Sequence, residues 1–130
     1  MSGEERPRLL VVEDNPDTQK LLEYQLRTHF TVTLAGGIDD ALEAAANARF
    51  DLFVLDINLG ERRTGIHLLQ RLYEMPAHRD TPAVALTAYA LPGDRERFLK
   101  VGFRAYMSKP FLREDLLNTI RDVLASGRKT

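Results

Sequence analysis

The sequence predicts an α/β protein with a single domain built on a doubly wound parallel β-sheet. The first observation is that five short apolar runs alternate with segments whose apolar residues recur at helical spacing. The second is that these runs are continuous rather than alternating, which is typical of parallel strands buried on both faces. Right-handed crossovers and short connections then favour an open sheet with helices on both sides.

The predicted strands are short and rich in apolar and β-branched residues. They cover residues 9–12, 31–35, 52–55, 82–86 and 105–108. The third run ends at Asp56 and the fourth at Thr87, whereas Gly36 and Gly37 terminate the second. Each strand is therefore closed by a polar or flexible residue.

The first predicted helix covers residues 16–28, because Asn15 is a good N-cap, Pro16 suits the first helical position and Asp17 complements the helix dipole. Four further helices begin near residues 38, 66, 92 and 112, and Gly102 ends the fourth. The apolar residues that define the first, second and fifth helices, and that we expect to face the core, are Leu21, Leu22, Leu26, Ile38, Ala41, Leu42, Ala45, Ala46, Leu112, Leu116, Leu117, Ile120, Val123 and Leu124.

Composition excludes several classes of protein. A chain of 130 residues suits one domain, with a core of about residues 8–125 and frayed ends. Its net charge of -1 gives no global attraction to nucleic acid or to an anionic membrane, and it contains no cysteine for disulfides or zinc. The polar start lacks a secretory signal. We expect a cytoplasmic monomer or weak dimer.

Polar side chains follow four of the five strands. Glu13 and Asp14 come after the first, Asp56 after the third, Thr87 after the fourth and Lys109 after the fifth. In open parallel sheets, ligands bind beyond the carboxyl ends of the strands, where the strand order switches. The sequence therefore predicts that three carboxylates, a hydroxyl and an ammonium group meet at one edge.

Three clustered carboxylates repel one another by a few kcal/mol per pair at a separation of about 5 Å. Lys109 offsets part of this repulsion, and an all-oxygen site suits Mg²⁺. An aspartate in such surroundings can act as a nucleophile and form an aspartyl phosphate. The site thus has the components of a phosphoryl-transfer centre.

Four motifs in this order resemble the receiver domains of two-component signalling. They are VVEDN at residues 11–15, VLDIN at 54–58, ALTA at 85–88 and KPF at 109–111. The resemblance covers about residues 8–125, and the stretch at 91–97 is similar to receivers associated with hybrid histidine kinases. It implies a flavodoxin-like sheet in the order 2-1-3-4-5 with five helices.

The resemblance also implies a chemical role for each matching residue. Asp56 would accept the phosphoryl group from a histidine kinase or a histidine phosphotransfer protein. Asp14 and Asp56 would ligate Mg²⁺ directly, Glu13 mostly through water, and Asn58 through its main-chain carbonyl.

Phosphorylation would be read out by residues of the fourth and fifth strands. Thr87 and Lys109 would bind the phosphoryl group, and Tyr106 would change rotamer with Thr87. The peptide bond before Pro110 is usually cis in this family. Output would be a contact with a downstream protein, which the sequence does not specify, on a face that includes residues near Arg95, Tyr106 and Arg113.

The sequence departs from the family pattern in the loop at residues 59–64, which lacks the usual proline and is longer by about one residue. Tyr89 is either a solvated loop residue or a partner contact. The scattered histidines His29, His67 and His78 are expected at the surface or at edges.

Two other functions compete with phosphoryl acceptance. A scaffold with the same fold but no phosphorylation is disfavoured, because it would have no use for the clustered carboxylates. A flavin binder or a Mg²⁺-dependent phosphohydrolase is disfavoured by the two carboxylates after the first strand and by the lack of a cap insertion.

Overall fold

The computed structural model describes residues 6–88 and 91–127, and it contains one five-stranded parallel sheet in the order β2-β1-β3-β4-β5. The strands are β1 (Arg8–Val12), β2 (Thr31–Ala35), β3 (Leu52–Asp56), β4 (Ala83–Thr87) and β5 (Ala105–Ser108). The helices are α1 (Pro16–Leu26), α2 (Ile38–Asn47), α3 (Gly65–Tyr73), α4 (Asp94–Val101) and α5 (Arg113–Gly127). The predicted flavodoxin-like fold, with its strand order and five helices, is confirmed.

The register of the central strands places the polar residues side by side. Val12 of β1 pairs with Leu55 of β3, so Glu13 and Asp56 follow at the same level of the sheet. Thr87 of β4 pairs with Ser108 of β5, so Lys109 lies one residue beyond the level of this pair. Because β1 has β2 on one side and β3 on the other, the strand order switches at this point.

Apolar side chains fill both faces of the sheet. On one face, Leu10 and Phe53 pack with residues of α2 and α3 and with Phe98 of α4. On the other face, Leu9 and Val54 pack with residues of α1 and α5. All five residues of β3 are buried, including Asp56, so the acceptor candidate stands at the end of a fully buried strand.

Several predicted boundaries were wrong by one or two residues. Helix α1 ends at Leu26 rather than Thr28. Helix α3, predicted from Ile66 to Met75, begins at Gly65 and ends at Tyr73, ahead of a short 3₁₀ turn at Pro76–His78.

Strand β1 begins one residue earlier than predicted, at Arg8, and the remaining shifted boundaries lie in the second half of the chain. Strand β4 begins one residue later than predicted, at Ala83. Helix α4 begins at Asp94 rather than Pro92, because Gly93 adopts a left-handed conformation with φ 89° and interrupts the helix there. At the C-terminus, α5 continues two residues past the predicted core to Gly127.

Some side-chain placements also differ from prediction. Leu21 and Leu112, expected to face the core, are 46% and 70% exposed, and Ala46 is exposed as well. Both leucines lie next to the carboxyl edge of the sheet, beyond the reach of the core. His29 and His67 are exposed as predicted.

His78 is buried, contrary to the expectation of a surface residue. The 3₁₀ turn directs its ring onto Phe53, at a centroid distance of 5.5 Å, and its Nε2 lies 2.7 Å from the carbonyl oxygen of Ala45. Tyr89 lies outside the described residues. None of the helices in the described parts of the chain is long and apolar enough to cross a membrane.

Candidate functional site

A cleft opens at the carboxyl edge of the sheet, beside the point where the strand order switches. We call it the acidic cleft, and its lining residues are Glu13, Asp14, Asn15, Thr18, Asp56, Asn58, Gly60, Ala88 and Lys109. The structure therefore brings together most of the residues that the sequence assigns to the site, from β1, β3 and the segment after β5. Thr87 is buried at the end of β4, directly before Ala88 of the lining.

Three carboxylates meet in the acidic cleft. Glu13, Asp14 and Asp56 each offer an oxygen, and these oxygens lie within 4.8 Å of one another. Glu13 and Asp56 are only 1% and 3% exposed, whereas Asp14 is exposed. The buried pair must be neutralised within the protein, while Asp14 is available to a ligand from solvent.

Lys109 supplies the neutralising charge. Its Nζ donates hydrogen bonds of 2.7 Å to Oε1 of Glu13 and to Oδ2 of Asp56. Its main-chain N–H donates to the carbonyl oxygen of Thr87 at 2.8 Å, which fixes where the side chain starts. The Lys109–Pro110 peptide is cis, as the resemblance implies.

Burial and hydrogen bonding shift the pKa values of Glu13 and Lys109. Burial raises the pKa of Glu13 above 4.5, and the hydrogen bond from Lys109 opposes this shift without cancelling it. Burial lowers the pKa of Lys109, but its hydrogen bonds to Asp56 and Glu13 outweigh burial and hold that pKa above 10.5. The lysine is therefore fully charged at neutral pH.

Main-chain donors fix the orientation of the two buried carboxylates. Oδ1 of Asp56 accepts the N–H of Asn58 at 3.1 Å, and Oε2 of Glu13 accepts the N–H of Asn15 at 3.0 Å. No hydrogen bond or ion pair engages the side chain of Asp14 within residues 6–88 and 91–127. Of the three carboxylates, two are held by the protein and one is left for a ligand.

Two glycines that the sequence analysis did not single out allow this close packing. A Cβ on Gly65, the first residue of α3, would overlap the main-chain oxygen of Asp56. Gly60 has a φ of 71°, and a Cβ there would lie 2.7 Å from Oδ2 of Asp14. The only sequence signal for a special role of Gly65 is its position directly after the N-cap residue Thr64, and this signal is weak without the structure.

Tyr106 lies on β5, away from the carboxylates. It is half-buried and packs edge-on against Phe98 of α4, with a centroid distance of 5.7 Å. In the register of the sheet it pairs with Ala85, two residues before Thr87. The predicted pair of Thr87 and Tyr106 therefore lies on neighbouring strands.

The donor set of the acidic cleft fits Mg²⁺. The candidate ligands are all oxygens, which this hard cation prefers, and only two of the three carboxylates are paired with Lys109. Three carboxylates and one ammonium leave two negative charges when all are ionised, so a divalent ion at the exposed Asp14 would complete the neutralisation.

The fold and the acidic cleft define a flavodoxin-like α/β protein with a carboxylate–lysine centre at the switch point of its sheet. The chain belongs to the response regulator receiver domain family, whose model matches residues 9–121. It is thus a receiver domain of two-component signalling. Receiver domains are phosphoacceptors that bind Mg²⁺ in an acidic pocket and interact with histidine kinases or phosphotransfer proteins.

Comparison with individual proteins supports the same assignment. The polar-differentiation response regulator DivK of Brucella anthropi is 33% identical over 121 residues, covering 92% of this chain and 97% of DivK. The histidine-protein kinase BarA of Shigella flexneri is 33% identical over 113 residues, which are 86% of this chain but 12% of the kinase. This chain thus spans only a small part of that relative.

A solved receiver domain has nearly the same structure. The receiver domain of the sensor histidine kinase PA1611 from Pseudomonas aeruginosa PAO1, with a magnesium ion in its active site cleft, matches with a TM-score of 0.83 and 33% identity, covering 92% of this chain and 98% of that one. Together with BarA, it agrees with the resemblance to receivers associated with histidine kinases.

Proposed function

We propose that this receiver accepts a phosphoryl group on Asp56 in a Mg²⁺-dependent transfer from a phosphohistidine partner. The main support for this proposal is the environment of the Asp56 carboxylate. It is buried, held by Nζ of Lys109 and by the N–H of Asn58, and adjacent to the exposed carboxylate of Asp14. A nucleophile that is fixed in place and paired with a cation suits phosphoryl transfer.

In the proposed transfer, a carboxylate oxygen of Asp56 attacks phosphorus, the new O–P bond forms and the N–P bond of the phosphohistidine breaks. The bonding electron pair stays on the imidazole. Lys109 stabilises the negative charge on the phosphoryl oxygens, since its ammonium already lies at hydrogen-bond distance from Asp56. The Thr87 hydroxyl would donate to one of these oxygens after transfer.

The metal site would use Asp14, Asp56 and the main-chain carbonyl of Asn58, with Glu13 acting mostly through water. When bound, Mg²⁺ would neutralise the carboxylates and the phosphoryl oxygens. The three carboxylate oxygens within 4.8 Å of one another support this assignment.

The donor would be a histidine kinase or a histidine phosphotransfer protein. An apolar surface borders the cleft next to Lys109 and is formed by Thr18, Leu21, Pro110 and Phe111, with exposed Leu112 nearby. A donor must cover the rim of the cleft to bring its phosphohistidine to Asp56, and this surface gives it apolar area to bury. We call it the donor surface.

Phosphorylation would shift the population between two packings of Thr87 and Tyr106. The packing of Tyr106 against α4 supports a link to the face formed by α4, β5 and α5, with Arg95 and Arg113 on it. A downstream protein would bind there.

The test is intact mass spectrometry after incubation with acetyl phosphate, with and without Mg²⁺. We expect a Mg²⁺-dependent gain of one phosphoryl mass in the wild type and in Asp122→Asn, a control at an exposed aspartate of α5, but not in Asp56→Asn. If neither acetyl phosphate nor a phosphorylated kinase phosphorylates the wild type, and beryllofluoride does not bind it, Asp56 is not an acceptor and the fold serves as a scaffold.

A further inference from the structure

The segment that connects β3 to α3, residues 57–64, is attached to a distant helix. Oε2 of Glu61 accepts the N–H of Ile38, the first residue of α2, at 3.1 Å. The N-cap of α2 is Gly37, which has no side chain to cap the helix itself. A carboxylate from the β3–α3 loop therefore replaces the missing cap and interacts favourably with the helix dipole.

The sequence leaves room for this carboxylate and orients it. Gly37 has an extended backbone, and a Cβ added there would lie 2.9 Å from Oε2 of Glu61. Nη2 of Arg63 lies 3.4 Å from Oε1 of Glu61 and 3.4 Å from Oδ1 of Asp39 in the first turn of α2. Both oxygens of Glu61 thus have partners at this junction.

The same loop lies over the acidic cleft on its other side. The N–H of Gly60 donates to Oδ1 of Asn58 at 3.2 Å, and Gly60 itself is close enough to Asp14 that a Cβ would overlap Oδ2. Leu59 is 3% exposed and anchors the loop in the core. Glu61 directly follows Gly60, so its contact with α2 limits how far residues 58–60 can move away from the carboxylates.

We propose that Glu61 is a positioning residue for the metal side of the cleft. By capping α2, it holds residues 58–60 against Asp14 and Asp56, so that the Asn58 carbonyl is already in place when Mg²⁺ binds. This inference rests on the proposed function, because it concerns the same metal site.

The experiment perturbs the contact from both ends and measures the Mg²⁺ dissociation constant by NMR titration of backbone amides. Glu61→Ala removes the cap, and Gly37→Ala displaces the carboxylate with a methyl group while leaving the loop sequence intact. We expect each to raise the dissociation constant roughly fivefold, since one such contact contributes about a factor of this size. Amide hydrogen exchange at residues 58–60 should accelerate in both variants without metal.

Two further variants separate positioning from general stability. Glu61→Gln keeps an oxygen that can accept from Ile38 and should restore most of the affinity. Glu43→Ala, at an exposed glutamate of α2, also removes one negative charge, this time from the helix itself, and should leave the affinity unchanged.

The outcomes distinguish a failure of the positioning role from a failure of the proposed function. If Glu61→Ala and Gly37→Ala lower the melting temperature but bind Mg²⁺ as the wild type does, Glu61 only caps α2 and the positioning role is wrong. If the wild type itself binds no Mg²⁺, the proposed function fails, and the positioning role fails with it.

Discussion

At the scale of single residues, the three carboxylates of the cleft differ in how their charge is neutralised. Glu13 and Asp56 share the Lys109 ammonium, with oxygens 2.7 Å from Nζ. Asp14 has no such partner and is exposed. The repulsion within the cluster is therefore least compensated at Asp14.

Replacing Asp14 by Asn should stabilise the metal-free protein. Like charges within 4.8 Å of one another repel by about 1 kcal/mol even at the dielectric constant of water, and we expect the free energy of unfolding to rise by about this amount. Urea unfolding in EDTA measures it, with Asp80→Asn as the control at an exposed turn residue. A loss of stability would show that Asp14 is neutralised within the apo protein.

Glu13 makes the stability of the protein depend on pH. Because the pKa of Glu13 in the folded state is raised above 4.5, the folded state binds the proton of this carboxyl group more tightly than the unfolded state does. The stability contributed by the protonated form is present below pH 4.5 and is lost as pH rises through the raised value. Glu13→Gln should therefore gain stability relative to the wild type as pH increases from about 4 to 7. Parallel pH profiles in urea unfolding would contradict the shift.

At the scale of elements, the position of α3 depends on one missing side chain. Gly65 lets the start of the helix approach the main chain of Asp56, where a Cβ would overlap the carbonyl oxygen. Backbone atoms cannot move aside as a flexible side chain could, so the helix or the strand end must shift.

Gly65→Ala should lower the free energy of unfolding by about 1–3 kcal/mol, the usual range for overpacking. It should also slow phosphorylation by acetyl phosphate, because the shift occurs at the acceptor strand. Gln70→Ala on the exposed face of α3 is the matched control. Unchanged stability and rate would mean that α3 can retreat without moving Asp56.

The donor surface yields a prediction about partner choice. Leu21→Glu and Leu112→Glu should slow transfer from a phosphorylated histidine phosphotransfer protein about tenfold, the effect of losing about 1.4 kcal/mol of contact. Phosphorylation by acetyl phosphate should be unaffected, since a small donor needs no docking surface. Leu99→Glu changes a leucine of similar exposure on α4 and serves as control. If phosphorylation by acetyl phosphate and by the phosphotransfer protein slowed equally, the substitutions would be acting on the acidic cleft rather than on docking.

At the scale of the whole molecule, the fold was predictable because five apolar runs and their helical partners repeat through the chain. The site was predictable because Glu13, Asp56 and Lys109 each lie at the end of a strand or directly after it. Features that depend on contacts between distant segments could not be predicted from the sequence. The cap that Glu61 provides to α2, the packing of Gly65 on Asp56 and the burial of His78 leave no local pattern in the sequence.

The proposed output is also a property of the whole molecule, since Tyr106 contacts α4 rather than the cleft. A phosphoryl mimic can shift the equilibrium between two packings of Tyr106 only to the extent that it binds one of them more tightly than the other. We expect beryllofluoride with Mg²⁺ to shift the amide resonances of α4 and β5 as well as those near Asp56.

Thr87→Ala should separate the two responses. At saturating mimic, the resonances near Asp56 should still shift, whereas those around Tyr106 should stay near their unbound positions, because the hydroxyl that connects the phosphoryl group to β5 is gone. Thr33→Ala, on the opposite edge strand β2, should respond as the wild type does. If Thr87→Ala keeps the full response around Tyr106, the signal reaches α4 without Thr87, and the pair of Thr87 and Tyr106 is not the coupling element.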